Sequence, residues 1–494
     1  MSINIPLFSL VLLIIGSLVL VGIVSPAFLA AKTSYLLDLI VTDMGWFYLI
    51  SVFCIVVYLF ALALSKWGST KLGAPDEKPE FSTISWFCML FAAGMGIGLV
   101  FFGVAEPVSH YFNPPFGQGG TAEAVSHAIR SSFFHWGFSA WAVYAIVGLS
   151  MAYFGFARKR PFLVGTTLEP LCGEKRWIMS LVDLLSVLAT FVGVASSFGM
   201  GVMQIAQGLH YSFNIPVSNT IYISLIVLFT IIFVACTATG IEKGIKILSD
   251  FNLLLAAVLM LFIFVVVNPR FVLNLFTAGV GDYLQNFIKM SFWTDPAGDG
   301  TWVKAWTVFY WAWWISWAPF VGSFFARISR GRTIREFVLG VVLAPALLCA
   351  VWFSIFGGSA LYLQHNGLVE LQPLMANDMS SVIFGVLDKL PCSTLLAVVV
   401  VVLLAIFFIT SANSATFVSA MFLSRGSENP PVWVRVILGV MLGALALILL
   451  LSGGLESLQG AAVVGSLPFM FCMLAVMVSL YRALSNDHRR VDQK

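Results

Sequence analysis

Charged residues make up only 10% of this 494-residue sequence, against roughly a quarter in an ordinary soluble domain. With 60% hydrophobic residues beside so little charge, a water-soluble globular protein is excluded and an integral membrane protein is left. The Gly-Lys dipeptide of a phosphate-binding Walker loop is absent, so ATP-driven transport has no motif in this chain. The six histidines include no HExxH and no metal-ligand spacing, and no catalytic constellation for a membrane-embedded enzyme is visible. Seven scattered cysteines form no CxxC and no pairing pattern, and they read as small apolar residues. No charged ring or repeated filter sequence marks a channel. The first apolar run lacks a basic n-region and an A-x-A-like exit, so it reads as a retained helix.

What the sequence does have is long apolar runs, each able to cross a hydrocarbon layer of about 30 Å as a helix. Twelve are expected, near 7–30, 44–65, 85–112, 131–156, 178–207, 217–239, 245–268, 302–326, 334–362, 392–423, 432–452 and 457–481. Alternating the connecting segments between two sides places twenty of the Lys and Arg residues on one and six on the other. The charge rule then sets both termini in the cytoplasm. The net charge of +3 reflects this topology, and no nucleic-acid partner is implied.

Four tryptophans, Trp311, Trp313, Trp314 and Trp317, fall within FYWAWWISW (309–317) at the centre of the eighth run, too deep for an interfacial aromatic belt. At helical spacing Trp313, Trp317, Phe320 and Phe324 lie within about 60° of one another, Trp314 flanks them and Trp311 lies farther round. Such a wall serves either as packing or as part of a cation receptor. A second aromatic source stands in FFHWGFSAWAVYA (133–145), which carries Trp136, Trp141 and Tyr144. A quaternary ammonium has no N–H to donate, so ring faces are what hold it, at up to about 2 kcal/mol per desolvated contact.

Three alternate glycines, Gly94, Gly96 and Gly98, sit in AAGMGIG (92–98) in mid-span. They mean either close helix packing or a discontinuous helix whose amides meet a carboxylate and whose carbonyls meet a cation. In FFITSANSAT (407–416) the hydroxyls of Thr410, Ser411 and Ser414 either bond back to their own helix or offer neutral oxygens to a hard cation such as sodium. Asp183 and Asp250 fall near one end of their spans and Glu106 near the other, so none reads as a proton relay.

At these residues the sequence resembles the betaine/choline/carnitine transporter (BCCT) family, through GMGIG, the FHW…W..Y segment and FYWAWWISWAPFVGSFFARISRGRT. The resemblance implies an all-α membrane fold of about twelve transmembrane helices, with two leucine-transporter-like five-helix inverted repeats. Residues 1–84 would form two extra helices, 85–268 the first repeat, 269–301 an amphipathic connecting helix, 302–481 the second repeat and 482–494 a short cytoplasmic tail. By motif, the substrate box would comprise Trp136, Trp141, Tyr144 and Trp314 with Met95 and Gly96 of the glycine stretch. Trp311, Trp313, Trp317 and Phe324 would line the pathway.

One sodium site of the family maps to Ala92, Met95, Phe407, Thr410 and Ser411, all of which match sodium-coupled members. The second would use Thr190 and Phe320, although Val194 stands one turn on where another hydroxyl is expected. Choline-transporting relatives tend to carry Asp at the position of Gly98, so a substrate with its own carboxylate is implied, glycine betaine first. The resemblance therefore implies sodium symport of this zwitterion across the cytoplasmic membrane, with no cofactor beyond the coupling ion, by a homotrimer held at the connecting helix. The alternatives are proton-coupled choline uptake and sodium-independent carnitine or betaine exchange. Osmosensing relatives carry long charged extensions, so transport without steep osmotic activation is expected.

Overall fold

The computed structural model describes residues 3–492 apart from Met95, Glu174, Gly240 and Ile241. The described residues are overwhelmingly helical and form no β-strand. The principal helices are α1 (Ile5–Val24), α2 (Pro26–Leu64), α3 (Thr83–Gly94), α4 (Ile97–Phe112), α5 (Ala122–Trp136), α6 (Phe138–Ala152) and α7 (Arg176–Phe213). They continue with α8 (Asn219–Thr239), α9 (Glu242–Val266), α10 (Pro269–Ser291), α11 (Phe309–Ile328), α12 (Ile334–His365), α13 (Ser393–Leu423) and α14 (Val432–Asp492). Nine stretches among the described residues are long and apolar enough to cross a membrane, with α5 and α6 counted as one. Helical structure is what a lipid environment demands, because each backbone group must find its partner within the segment.

Apolar side chains are not confined to the interior. Leu254, Val258, Leu261 and Val265 form an exposed stripe along α9, the surface that acyl chains would cover. Inside, α11 packs against α6, α7 and α14, so the tryptophan-rich segment is the centre of the bundle rather than its edge. Trp311 and Trp313 are each 1% exposed.

The ends of several helices differ from those expected. The first run stops at Ser25, and Pro26 begins a helix of 39 residues that absorbs the loop expected between 30 and 44. Proline suits a first helical position, where its missing N–H would have no partner, and beyond it no further proline and only one glycine, Gly45, stand in the helix. The fourth span divides at Gly137 (φ −90°, ψ −142°), where the Phe138 amide donates to the Tyr283 hydroxyl of α10 at 3.0 Å. A Cβ at Gly137 would stand 2.4 Å from the Phe133 carbonyl oxygen, so the break requires glycine. The last two runs join in one element bent at Gly453 and Gly454. The terminal segment expected as a tail continues this helix to Asp492, with Asp487 accepting from Arg158 at 2.9 Å.

On the basic face, the segment before α3 lies against the turn between α11 and α12. Leu72 of this strap exchanges backbone hydrogen bonds with the turn, its N–H donating to the Arg332 carbonyl and its carbonyl accepting from the Gly331 N–H, both 2.8 Å. Trp86 of α3 donates to Ser329 at 3.0 Å beneath the Arg332 guanidinium, 4.0 Å from its ring. The first half of the broken third span is thereby tied to the end of the tryptophan helix.

Candidate functional site

The third span is interrupted at its glycines. α3 ends at Gly94, Gly96 is extended (φ −162°, ψ −168°), and α4 starts at Ile97 with no side chain capping it. The first amides of a helix have no partner within it, so the start of α4 presents N–H groups and the positive end of its dipole to whatever lies beside it. What lies beside it is aromatic. Gly96, Gly98, Trp136, Tyr144, Trp313, Trp314 and Trp317 line one cavity of about 20 Å³, together with Ser197 of α7.

The rings are packed on one another. Trp136 meets Trp314 edge to face at 4.7 Å between centroids, Trp313 stacks on Trp314 at 4.8 Å, and Tyr144 stands edge-on to Trp314 at 6.1 Å. A volume of about 20 Å³ holds a water molecule and no trimethylammonium group, so this is a closed arrangement whose rings must part for a substrate. No charged side chain lines the cavity among the described residues. The structure brings Gly96, Trp136, Tyr144, Trp313, Trp314 and Trp317 together. Trp141 adjoins them through Tyr144 at 5.8 Å, while Trp311 packs behind, edge-on to Phe134 at 5.2 Å. Phe324 is half-buried on α11 and does not line the cavity, and Met95 lies outside the described residues.

Each indole N–H of the inner group but one is engaged by protein. Trp136 donates to Glu106 at 2.8 Å, Trp141 to the Trp136 carbonyl at 3.0 Å, Trp313 to Ser197 at 3.1 Å and Trp314 to the His135 carbonyl at 3.0 Å. Trp317, which also lines the cavity, has its Nε1 buried without a partner. Gly98 allows the closest approach: a Cβ there would stand 2.2 Å from Cη2 of Trp313.

Of the residues expected to hold sodium, Phe407, Thr410 and Ser411 occupy successive turns of α13, which packs against α4. The Thr410 hydroxyl donates back to the Ile406 and Phe407 carbonyls at 2.9 and 3.3 Å. Ala92 lies in α3, two residues before its end. Thr190 on α7 donates to the Ser186 carbonyl at 2.8 Å, and Phe320 lies on the facing helix α11 beside Trp317 at 5.6 Å.

Glu106 is the residue that its sequence position concealed. It is wholly buried, and its carboxylate accepts from Trp136, from His135 Nδ1 at 2.7 Å, from His110 Nε2 at 3.3 Å and from the Tyr310 hydroxyl. The i,i+4 spacing of Glu106 and His110, and the placement of His135 directly before Trp136, were the signals available. The ligand atoms of Glu106, His110 and His135 lie within 4.8 Å of one another, a spacing a metal ion also uses. Here the four donors already fill the acceptor positions of the carboxylate, so the cluster reads as a hydrogen-bonded centre.

The family model described as BCCT, betaine/carnitine/choline family transporter, matches residues 6–489. The glycine betaine transporter OpuD of Bacillus subtilis is 46% identical over 98% of this chain and 95% of its own length. The ectoine/hydroxyectoine transporter of Virgibacillus pantothenticus is 41% identical over 100% and 99%, and the high-affinity choline transport protein of Escherichia coli is 39% identical over 92% and 68%.

Proposed function

The chain belongs to the betaine/carnitine/choline transporter family, and from that premise we propose that it imports a quaternary-ammonium zwitterion, glycine betaine first, in symport with sodium. The observation that carries this reading is the cavity where Trp136, Tyr144, Trp313, Trp314 and Trp317 meet the start of α4 with no charged side chain among them. Ring faces attract the methylated cation, each contributing up to about 2 kcal/mol. The amides that open α4 and the unpaired Trp317 N–H offer the carboxylate its donors. A substrate carrying both charges satisfies the two halves at once, whereas choline leaves the donors of α4 without an anion.

Sodium is the second cargo in this reading. The opened end of α3 and the carbonyl and hydroxyl oxygens of Phe407, Thr410 and Ser411 supply neutral oxygen ligands of the kind a hard cation takes. The hydroxyl of Thr410 would then turn from its own helix toward the ion. Because α4 follows the same break that borders the ion's ligands and also lines the substrate cavity, occupation of one would favour order in the other.

The division into inverted five-helix repeats with twelve spans, both termini in the cytoplasm, and assembly as a homotrimer through α10 belong to the same proposal. That helix exposes Leu273, Leu284 and Ile288, an apolar face suited to a second copy or to lipid. The function is tested by uptake of labelled glycine betaine into proteoliposomes. Accumulation that needs an inward sodium gradient and competes with unlabelled betaine supports the reading, and uptake indifferent to sodium overturns the coupling.

A further inference from the structure

We infer that Glu106 is a positioning and charge-selecting residue of the aromatic box, acting through the Trp136 indole to favour a cation over a neutral group of the same shape. The inference rests on the betaine reading above. Glu106 never reaches the cavity. Its Oε2 accepts the Trp136 N–H at 2.8 Å, so the carboxylate lies at the edge of a ring that lines the box.

The hydrogen bonds define its charge. A carboxylate surrounded by four donors accepts from all of them only when it is ionised. His135 Nδ1 stands 2.7 Å from Glu106 and its Nε2 3.0 Å from the Thr307 hydroxyl, a pairing that a neutral ring satisfies by donating to the carboxylate and accepting from the hydroxyl. His110 faces Glu106 through Nε2, and its Nδ1 is buried with no partner, so an imidazolium there would carry an orphaned N–H. The remaining donors, Trp136 and Tyr310, are neutral. A negative charge therefore stands in the protein interior with hydrogen bonds around it and no lysine or arginine among its partners.

Buried unpaired charge is costly in a bilayer and marks function by default. Here the field has one productive direction. An anion accepting from the edge of an indole raises the electron density of that ring, and the ring face is what a quaternary ammonium contacts. The second wall depends on the same carboxylate, because Tyr310 stacks on Trp314 at 5.6 Å and the Trp314 N–H is held by the His135 carbonyl. One buried anion thus sets the position of both main rings and the sign of the charge they prefer. It also orients the zwitterion, cation toward Trp136 and carboxylate toward the amides of α4.

A purely structural tie between α4, α5 and α11 would use the same contacts, so the test must separate charge preference from packing. The full-length protein in proteoliposomes is assayed for glycine betaine affinity and for inhibition by 3,3-dimethylbutanoate, the isostere with carbon in place of the quaternary nitrogen. In Glu106→Gln the ratio of the two affinities is expected to fall about tenfold toward the neutral-headed compound, with Trp136→Phe lowering it in the same sense because it deletes the N–H. Combining the two substitutions is expected to add little to either. Parallel weakening of both compounds with an unchanged ratio would overturn the inference, as would full additivity. If Glu106→Gln fails to fold, Glu106→Asp decides: it keeps the charge but withdraws it from the Trp136 N–H, so the ratio falls under the inference and an unchanged ratio overturns it. A wild-type protein that binds no betaine would instead sink the functional reading, leaving a distinguishable outcome.

Discussion

At the scale of single residues, the cavity is held by contacts that specific substitutions read out. Trp314 touches Trp136, Tyr144, Tyr310 and Trp313, so Trp314→Ala removes a ring face and the support of its neighbours. Betaine affinity is expected to fall about thirtyfold, matching the roughly 2 kcal/mol of one desolvated cation–ring contact, in a fluorescence titration. An unchanged affinity would remove this ring from the box. Gly98→Ala inserts a methyl 2.2 Å from the Trp313 ring, and overpacking of this kind costs about 1–3 kcal/mol. Uptake measured at several betaine concentrations should show a severalfold rise in KM, and wild-type kinetics would mean that the indole shifts freely. The aromatic members of the site were legible because tryptophan in mid-membrane has few roles. Glu106 was not, because linear position reports depth along a span and says nothing of which way a side chain turns.

Among the elements, broken helices do the positioning. The interruption between α3 and α4 was foreshadowed by its alternate glycines, whereas the break at Gly137 lay within a run that reads as continuous helix. Glycine permits the break, and the tertiary contact from Tyr283, far along the chain, receives the freed Phe138 amide. Gly137→Ala brings a methyl within 2.6 Å of the Tyr283 oxygen and is expected to lower stability by about 1–3 kcal/mol, seen as a reduced melting temperature in detergent. Retention of the wild-type melting temperature would show that the break relaxes without strain. On α13, Thr410→Ala combined with Ser411→Ala deletes two oxygens proposed for sodium. Half-maximal uptake should then need about tenfold more sodium, equivalent to about 1.4 kcal/mol, and an unaltered sodium curve would place the ion elsewhere. The long α2 and the helical end of α14 show the opposite limit of sequence reading: apolar runs reveal that helices exist, but helix-forming residues beyond the membrane carry them farther than hydropathy alone extends.

In the molecule as a whole, a lipid-facing shell surrounds a core in which α11 is the hub. The cavity sits where this helix meets the opened third span, and the strap on the basic face ties the two together through Trp86, Ser329 and Arg332. The rings of α11 thus meet the break in the third span, and in the proposed coupling the oxygens of α13 border that same break. The central claim is that a zwitterion and sodium share this unit. Its most direct measurement is uptake of labelled glycine betaine and of labelled choline into proteoliposomes, first with an inward sodium gradient and then with potassium in its place. Accumulation of betaine that requires sodium and exceeds that of choline is expected. Uptake that persists without sodium, or that favours choline, would contradict the account.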